Sequence, residues 1–279
     1  TTSVAPASDA PRFRINARTL VAVVLVLFLV RDGLFFVSQF QLMRGRGLAN
    51  AHRFEEAHAV LAKAERKAGW NWRIPYEQGR TYILEREPGK ARDAFARTLT
   101  LNPNYVMTHV YLGRACMEAV IDAESKLTWI ETMELENEAR DHLETALKLC
   151  PNLPEAEDIL GRIASTQAVR LSQRRPDPDV QSEEIISLWQ QAADHFQRSL
   201  SHGARNVDTM YRLLARAYIE SGQIAKGENA LVKAIQASEL TMKSLQEMYG
   251  MLANLEHYSR VFTTLRKKTE EAAQDPAVP

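Results

Sequence analysis

The hydrophobic and polar positions divide the chain into two parts. Residues 1–11 are small and mostly polar, and Arg12, Arg14 and Arg18 follow. Then comes the one long apolar run, Thr19 to Val30. Arg31, Asp32 and Gly33 interrupt it, and apolar character resumes with Leu34, Phe35, Phe36, Val37, Phe40, Leu42 and Met43. Twelve helical residues cover only about 18 Å, against a hydrocarbon core of about 30 Å. Taken on to Leu42, the segment is long enough to span. The pattern predicts a disordered tail over 1–18 and a transmembrane helix over 19–42.

Two charges at mid-depth are costly in lipid and usually face protein. Arg31, Asp32, Ser38 and Gln39 fall within one arc of roughly 120° on a helix. This single polar stripe predicts contact with a neighbouring helix in the membrane. Competing readings are a short anchor ending near Val30 with 34–43 in the interface, a buried core helix, and a cleaved signal peptide. The small-x-small triplet Ala49-Asn50-Ala51 lies too far beyond the apolar run for the last of these.

Beyond residue 43 the apolar and small positions recur with a fixed period. Gly45, Gly79 and Gly113 lie 34 residues apart, as do Ala57 and Ala91. One copy reads Gly79, Tyr82, Ala91, Phe95 and Pro103, and another Gly45, Leu48, Ala57, Leu61 and Ala64. A third has Leu112-Gly113, Ala139, Leu143, Ala146 and Pro151, and a fourth Leu160-Gly161, Ala192 and Phe196. The fifth has Leu214, Tyr218, Gly222, Leu231 and Ala234, with Gly227 where Ala is usual. A worn sixth copy carries Leu252, Tyr258, Val261 and Leu265.

This pattern resembles the tetratricopeptide repeat, a pair of helices with a 34-residue period. The resemblance implies an all-α, right-handed superhelical solenoid of about six hairpins over residues 43–270, with 271–279 as a C-terminal tail. Small residues sit where the two helices approach, and no hairpin buries its apolar face alone. Two copies are stretched, near 117–138 and 166–190. Both insertions fall between the first and second helices of their hairpins, and so at one edge of the stack.

Composition agrees with an all-α chain. Gly (12) and Pro (11) are sparse, and helix formers dominate. Lys plus Arg and Asp plus Glu each count 35, which gives no reason to expect a nucleic acid partner. Cys116 and Cys150 make neither a disulfide framework nor a zinc site, and both read as small buried side chains. The chain has no glycine-rich phosphate loop, paired-histidine helix or nucleophile elbow. No catalytic residue, metal, cofactor or small-molecule substrate is expected.

The residue after the repeat Gly, or its Ala substitute, is Arg in five successive copies: Arg46, Arg80, Arg114, Arg162 and Arg216. Arg73 and Arg212 share their helix face. The resemblance implies that the first helices line a concave groove, so this ladder would suit an acidic peptide. The alternative is a set of structural ion pairs. Trp70 and Trp72 are either membrane-interface residues or ordinary packing.

The expected function is a non-catalytic, membrane-anchored scaffold or assembly subunit that joins proteins within a membrane complex. The alternative is a receptor or chaperone that holds acidic segments of client proteins. A third reading is an accessory domain of an enzyme system whose chemistry lies elsewhere. Three arginines precede the span and Arg44, Arg46 and Arg53 follow it. A short basic tail ahead of one span and a large domain predicts a single-pass protein with its repeats on the extracytoplasmic (periplasmic) side.

Overall fold

The computed structural model describes residues 16–122, 127–174 and 182–237. These form ten α-helices and no strand among the described residues. The first hairpin is α1 (Ala17–Asn50) and α2 (Phe54–Ala68); the second is α3 (Arg73–Glu85) and α4 (Pro88–Leu101). The third is α5 (Val106–Asp122) and α6 (Trp129–Leu149); the fourth is α7 (Pro154–Gln173) and α8 (Glu183–Ser201). The fifth is α9 (Val207–Glu220) and α10 (Ile224–Ala237). Successive helices pack on one another, and the first helices α1, α3, α5 and α7 also touch in order, so they occupy the inner side of the solenoid. The sixth copy, both terminal tails and the tips of the two insertions lie outside the described residues.

Local chemistry explains where the helices begin and end. Pro88 and Pro154 sit in the first turns of α4 and α7, where their missing N–H costs nothing. Thr128 opens α6 with a capping box: its hydroxyl accepts from the Glu131 N–H at 3.3 Å, and Glu131 accepts from the Thr128 N–H at 2.7 Å. His52 and Arg86, 34 residues apart, both turn the chain with positive φ, at 57° and 63°. Gly222 does the same in the fifth hairpin at 80°. The stretched hairpins have longer helices: 17 and 21 residues in α5 and α6, 20 and 19 in α7 and α8, against 13 and 14 in α3 and α4.

Each repeat Gly meets a bulky residue of the second helix. A Cβ added to Gly45 would lie 2.8 Å from Leu61, one at Gly79 2.6 Å from Phe95, and one at Gly161 2.6 Å from Phe196. The fifth hairpin reverses the arrangement. Buried Ala215 holds the small position on α9, and Gly227 on α10 faces Ile219.

The lengthened helices are joined by a buried polar network. Glu136 of α6 is almost wholly enclosed, and it accepts hydrogen bonds from Arg170 and, at 2.9 Å, from Gln167, both on α7. Arg170 and Arg174 in turn lie over the Trp129 ring at 5.9 Å and 4.0 Å. Of the two cysteines, Cys116 is buried, and burial and then Glu138 push its thiol up to about 12. Cys150 is only half-buried, because it caps the end of α6 instead of lying within a packed face.

The apolar N-terminal segment continues directly into the first hairpin. α1 is one uninterrupted 34-residue helix, without a break at the expected boundary between 42 and 43. It is the one described helix long and apolar enough to cross a membrane. Leu20 to Val30 are exposed on every side, whereas Ser38, Leu42, Gly45 and Ala49 are buried in the first hairpin.

Candidate functional site

The inner face is best formed between α3 and α5. Tyr76 anchors it from below: it packs edge-on against Tyr105 and Tyr111 at ring separations of 5.2 Å and 5.9 Å, and touches Phe95 at 6.0 Å. Phe95 stacks on Tyr111 at 5.7 Å. Burial, followed by the neighbouring phenols Tyr105 and Tyr111, pushes Tyr76 far above the ordinary tyrosine range, so it stays neutral. This aromatic floor holds the two helices at a fixed separation.

Above the floor is a cavity of about 420 Å³ lined by Arg80, Arg86, Leu84, Tyr111, Arg114 and Glu118, among others. Arg80 is pinned: its guanidinium donates to Glu77 at 3.2 Å and lies 6.0 Å over the Tyr111 ring. Arg114 is half-exposed and pairs with Glu118 at 2.7 Å. Arg86 reaches the same cavity from the tight turn after α3. Three guanidinium groups therefore share the site with the carboxylates of Glu118 and Asp122 and an apolar wall from Ile83 and Leu84.

Of the seven ladder arginines, Arg80 and Arg114 converge on this cavity. The others are distributed along the stack. Arg162 pairs with Asp158 at 2.7 Å, Arg212 with Asp208 at 3.2 Å, and Arg216 approaches Glu220 at 4.0 Å. Arg216 also lies 5.5 Å over Trp189, and Arg73 lies 5.4 Å over Trp72. Arg46 is exposed on α1. The pairs on Arg80, Arg114, Arg162, Arg212 and Arg216 run along single helices, to carboxylates three or four residues away, and not between neighbouring hairpins. The ladder is thus a series of internally balanced pairs. Arg86, Leu84 and Tyr111 are groove residues that the repeat pattern alone did not single out, and the 34-residue offset from His52 to Arg86 was the available signal for the first of them.

The polar stripe on α1 was expected to face another helix in the membrane. In the structure half of it meets this chain. Arg31 lies 5.0 Å over the Trp70 ring, and Ser38 accepts a hydrogen bond from Asn71 at 3.3 Å. The physical reason is the continuity of α1, which brings the α2–α3 loop back against the stripe. Gln39 is half-buried and Asp32 stays exposed.

No protein-family model matches this sequence, and no curated protein matches it. Solved structures do. A thermophilic TPR protein of Thermus thermophilus aligns over 77% of this chain and 99% of its own, at 14% identity and a TM-score of 0.56. PilW, described as a widely conserved type IV pilus biogenesis factor, aligns over 86% and 96%, at 14% identity and 0.61. YrrB, described as a TPR protein with an unusual peptide-binding site, aligns over 74% and 89%, at 17% identity and 0.50. This chain has the tetratricopeptide-repeat fold. The TPR hairpins carry the repeat Gly on the first helix and its bulky neighbour on the second, as the spacing implied.

Proposed function

We propose that this TPR chain is a non-catalytic, membrane-tethered scaffold that joins proteins within a larger membrane complex. The observation that carries this reading is α1, in which the apolar segment and the first repeat helix are one element. A solenoid so attached cannot drift from its anchor, which suits a fixed structural role better than a diffusing one. Purification in mild detergent tests it. Stoichiometric integral membrane partners are the expected result. A full chain extracted by alkaline carbonate, or one that purifies alone, would defeat the reading. The short basic tail ahead of the span favours an N-terminus in the cytoplasm and repeats outside it. Protease added to spheroplasts should then digest the repeats, and protection until the membrane is breached would reverse the orientation.

The cavity between α3 and α5 favours a second, compatible reading, in which the groove holds an extended segment of a partner. Arg114 and Arg86 would meet an acidic group, while Leu84 and Tyr111 would take an apolar side chain. The mixed charge of the lining argues for a segment with both features and against a purely acidic tail. Changing Arg80 and Arg114 together to Ala should weaken partner retention while helicity is unchanged. Full retention would make these side chains structural.

A further inference from the structure

The apolar part of α1 poses a problem of length. Between Arg18 and Arg31 lie only the residues Thr19 to Val30, about 18 Å of helix against a hydrocarbon core of about 30 Å. The missing length has to come from beyond Arg31. There the two sides of α1 differ. On the outward side, Leu29, Gly33, Phe36, Phe40 and Met43 fall within an arc of roughly 80°. Phe36, Phe40 and Met43 are 73%, 70% and 75% exposed. On the opposite side, Phe35, Ser38, Leu42 and Gly45 are covered by the first hairpin and the loop after it.

We infer that the membrane surface reaches the repeat domain itself, and that the Gly69–Trp72 loop is seated in the lipid interface beside α1. The inference rests on the reading of α1 as a span. Lipid then wets the outward face as far as Met43, and the span from Leu20 to Met43 is about 36 Å, which is sufficient. On the inner face the loop takes the place of lipid. Trp70 is the residue that meets it: it is 46% exposed, stacks on Phe35 at 5.9 Å, and carries Arg31 over its ring at 5.0 Å. An indole with an apolar body and a polar edge is at home at headgroup level. The cation–π contact gives Arg31 a partner at a depth where a bare charge is costly. Trp72, by contrast, packs on Tyr105 at 4.4 Å within the aromatic floor. Around the loop, Arg66, Lys67 and Arg73 are exposed, a basic rim suited to lipid phosphates. The bilayer thus holds the solenoid at a fixed tilt through Trp70 and the outward face of α1.

Depth-dependent fluorescence quenching tests this on the full chain reconstituted in phosphatidylcholine–phosphatidylglycerol vesicles. Lipids brominated near the headgroup should quench tryptophan emission more than lipids brominated near the chain end. Most of that quenching should disappear in Trp70→Phe, with helicity unchanged. Equal quenching in the wild type and in Trp70→Phe would overturn the seating of the loop. So would an unquenched Trp70 together with a dimer joined through Phe36, Phe40 and Met43, because a second copy would then own the outward face. Alkaline carbonate separates the two levels. A chain that stays in the pellet with Trp70 unquenched loses only the seating, whereas an extracted chain loses the span as well.

Discussion

Gly79 on α3 lies directly beneath the ring of Phe95 on α4, so close that a Cβ on Gly79 would sit 2.6 Å from the nearest ring carbon. Phe95 is completely buried and cannot move aside. Gly79→Ala should therefore destabilise the second hairpin by about 1–3 kcal/mol through overpacking, despite the better helix propensity of Ala. Gly89, in the first turn of α4, has open space around it. Gly89→Ala should leave stability unchanged or raise it by about 0.5 kcal/mol. Urea unfolding followed by circular dichroism checks both. Equal midpoints for the two variants would mean that the Gly–Phe contact does not set the helix spacing.

Glu136 and Arg170 test the packing of the lengthened hairpins. Removing one member of a buried ion pair strands the other, so Glu136→Ala should cost about 3–5 kcal/mol. Replacing both, as Glu136→Leu with Arg170→Met, removes the stranded charge and should recover most of that loss. A double variant as unstable as the single one would show that the pair is needed for the register between α6 and α7, and not merely tolerated there.

The repeat was legible because it depends on short-range geometry. A small residue and a bulky one must meet wherever two helices cross closely, so Gly79 and Phe95 fix their own spacing in the sequence. The contact between Glu136 and Arg170 was hidden because it joins helices whose lengths depart from the repeat. The ladder arginines were legible as a row, but a row of like residues says nothing of rotamers. Glu118 and Asp158 lie within four residues of Arg114 and Arg162, and the pairing follows from that helical neighbourhood. The continuity of α1 was missed because hydropathy marks where apolar character fades, not where a helix stops. Without a cap or a proline near residue 43, the helix simply continues.

Glu118 offers a gain-of-function test of the groove. It holds Arg114 at 2.7 Å in a partly exposed pair of modest strength. Glu118→Gln removes the competing carboxylate. If an acidic group of a partner docks on Arg114, the variant should bind it about twofold more tightly, in line with the worth of an exposed pair. Isothermal titration with an acidic peptide carrying one aromatic residue measures this. Unchanged or weaker affinity would remove Arg114 from the site.

His109 and His142 set a pH dependence in the third hairpin. The Nε2–H of His109 donates to the Pro103 carbonyl at 2.9 Å, which leaves its Nδ1 to accept from the Nδ1–H of His142 at 3.2 Å. Burial, and then the neighbouring His109, hold His142 below the ordinary histidine range; Glu138 and Asp141 pull it upward, and Arg92 pushes it down again. The folded protein therefore binds fewer protons at His142 than the unfolded chain does. Stability contributed by the neutral imidazole is complete above the unfolded histidine value of about 6.5, and falls as the pH drops through and below it. Thermal unfolding between about pH 7.5 and pH 5.5 should show a falling midpoint, before the carboxylates begin to titrate. His142→Asn preserves a donor near Nδ1 but cannot take up a proton, so the decline should flatten. A slope unaffected by this substitution would place the pH dependence on another group.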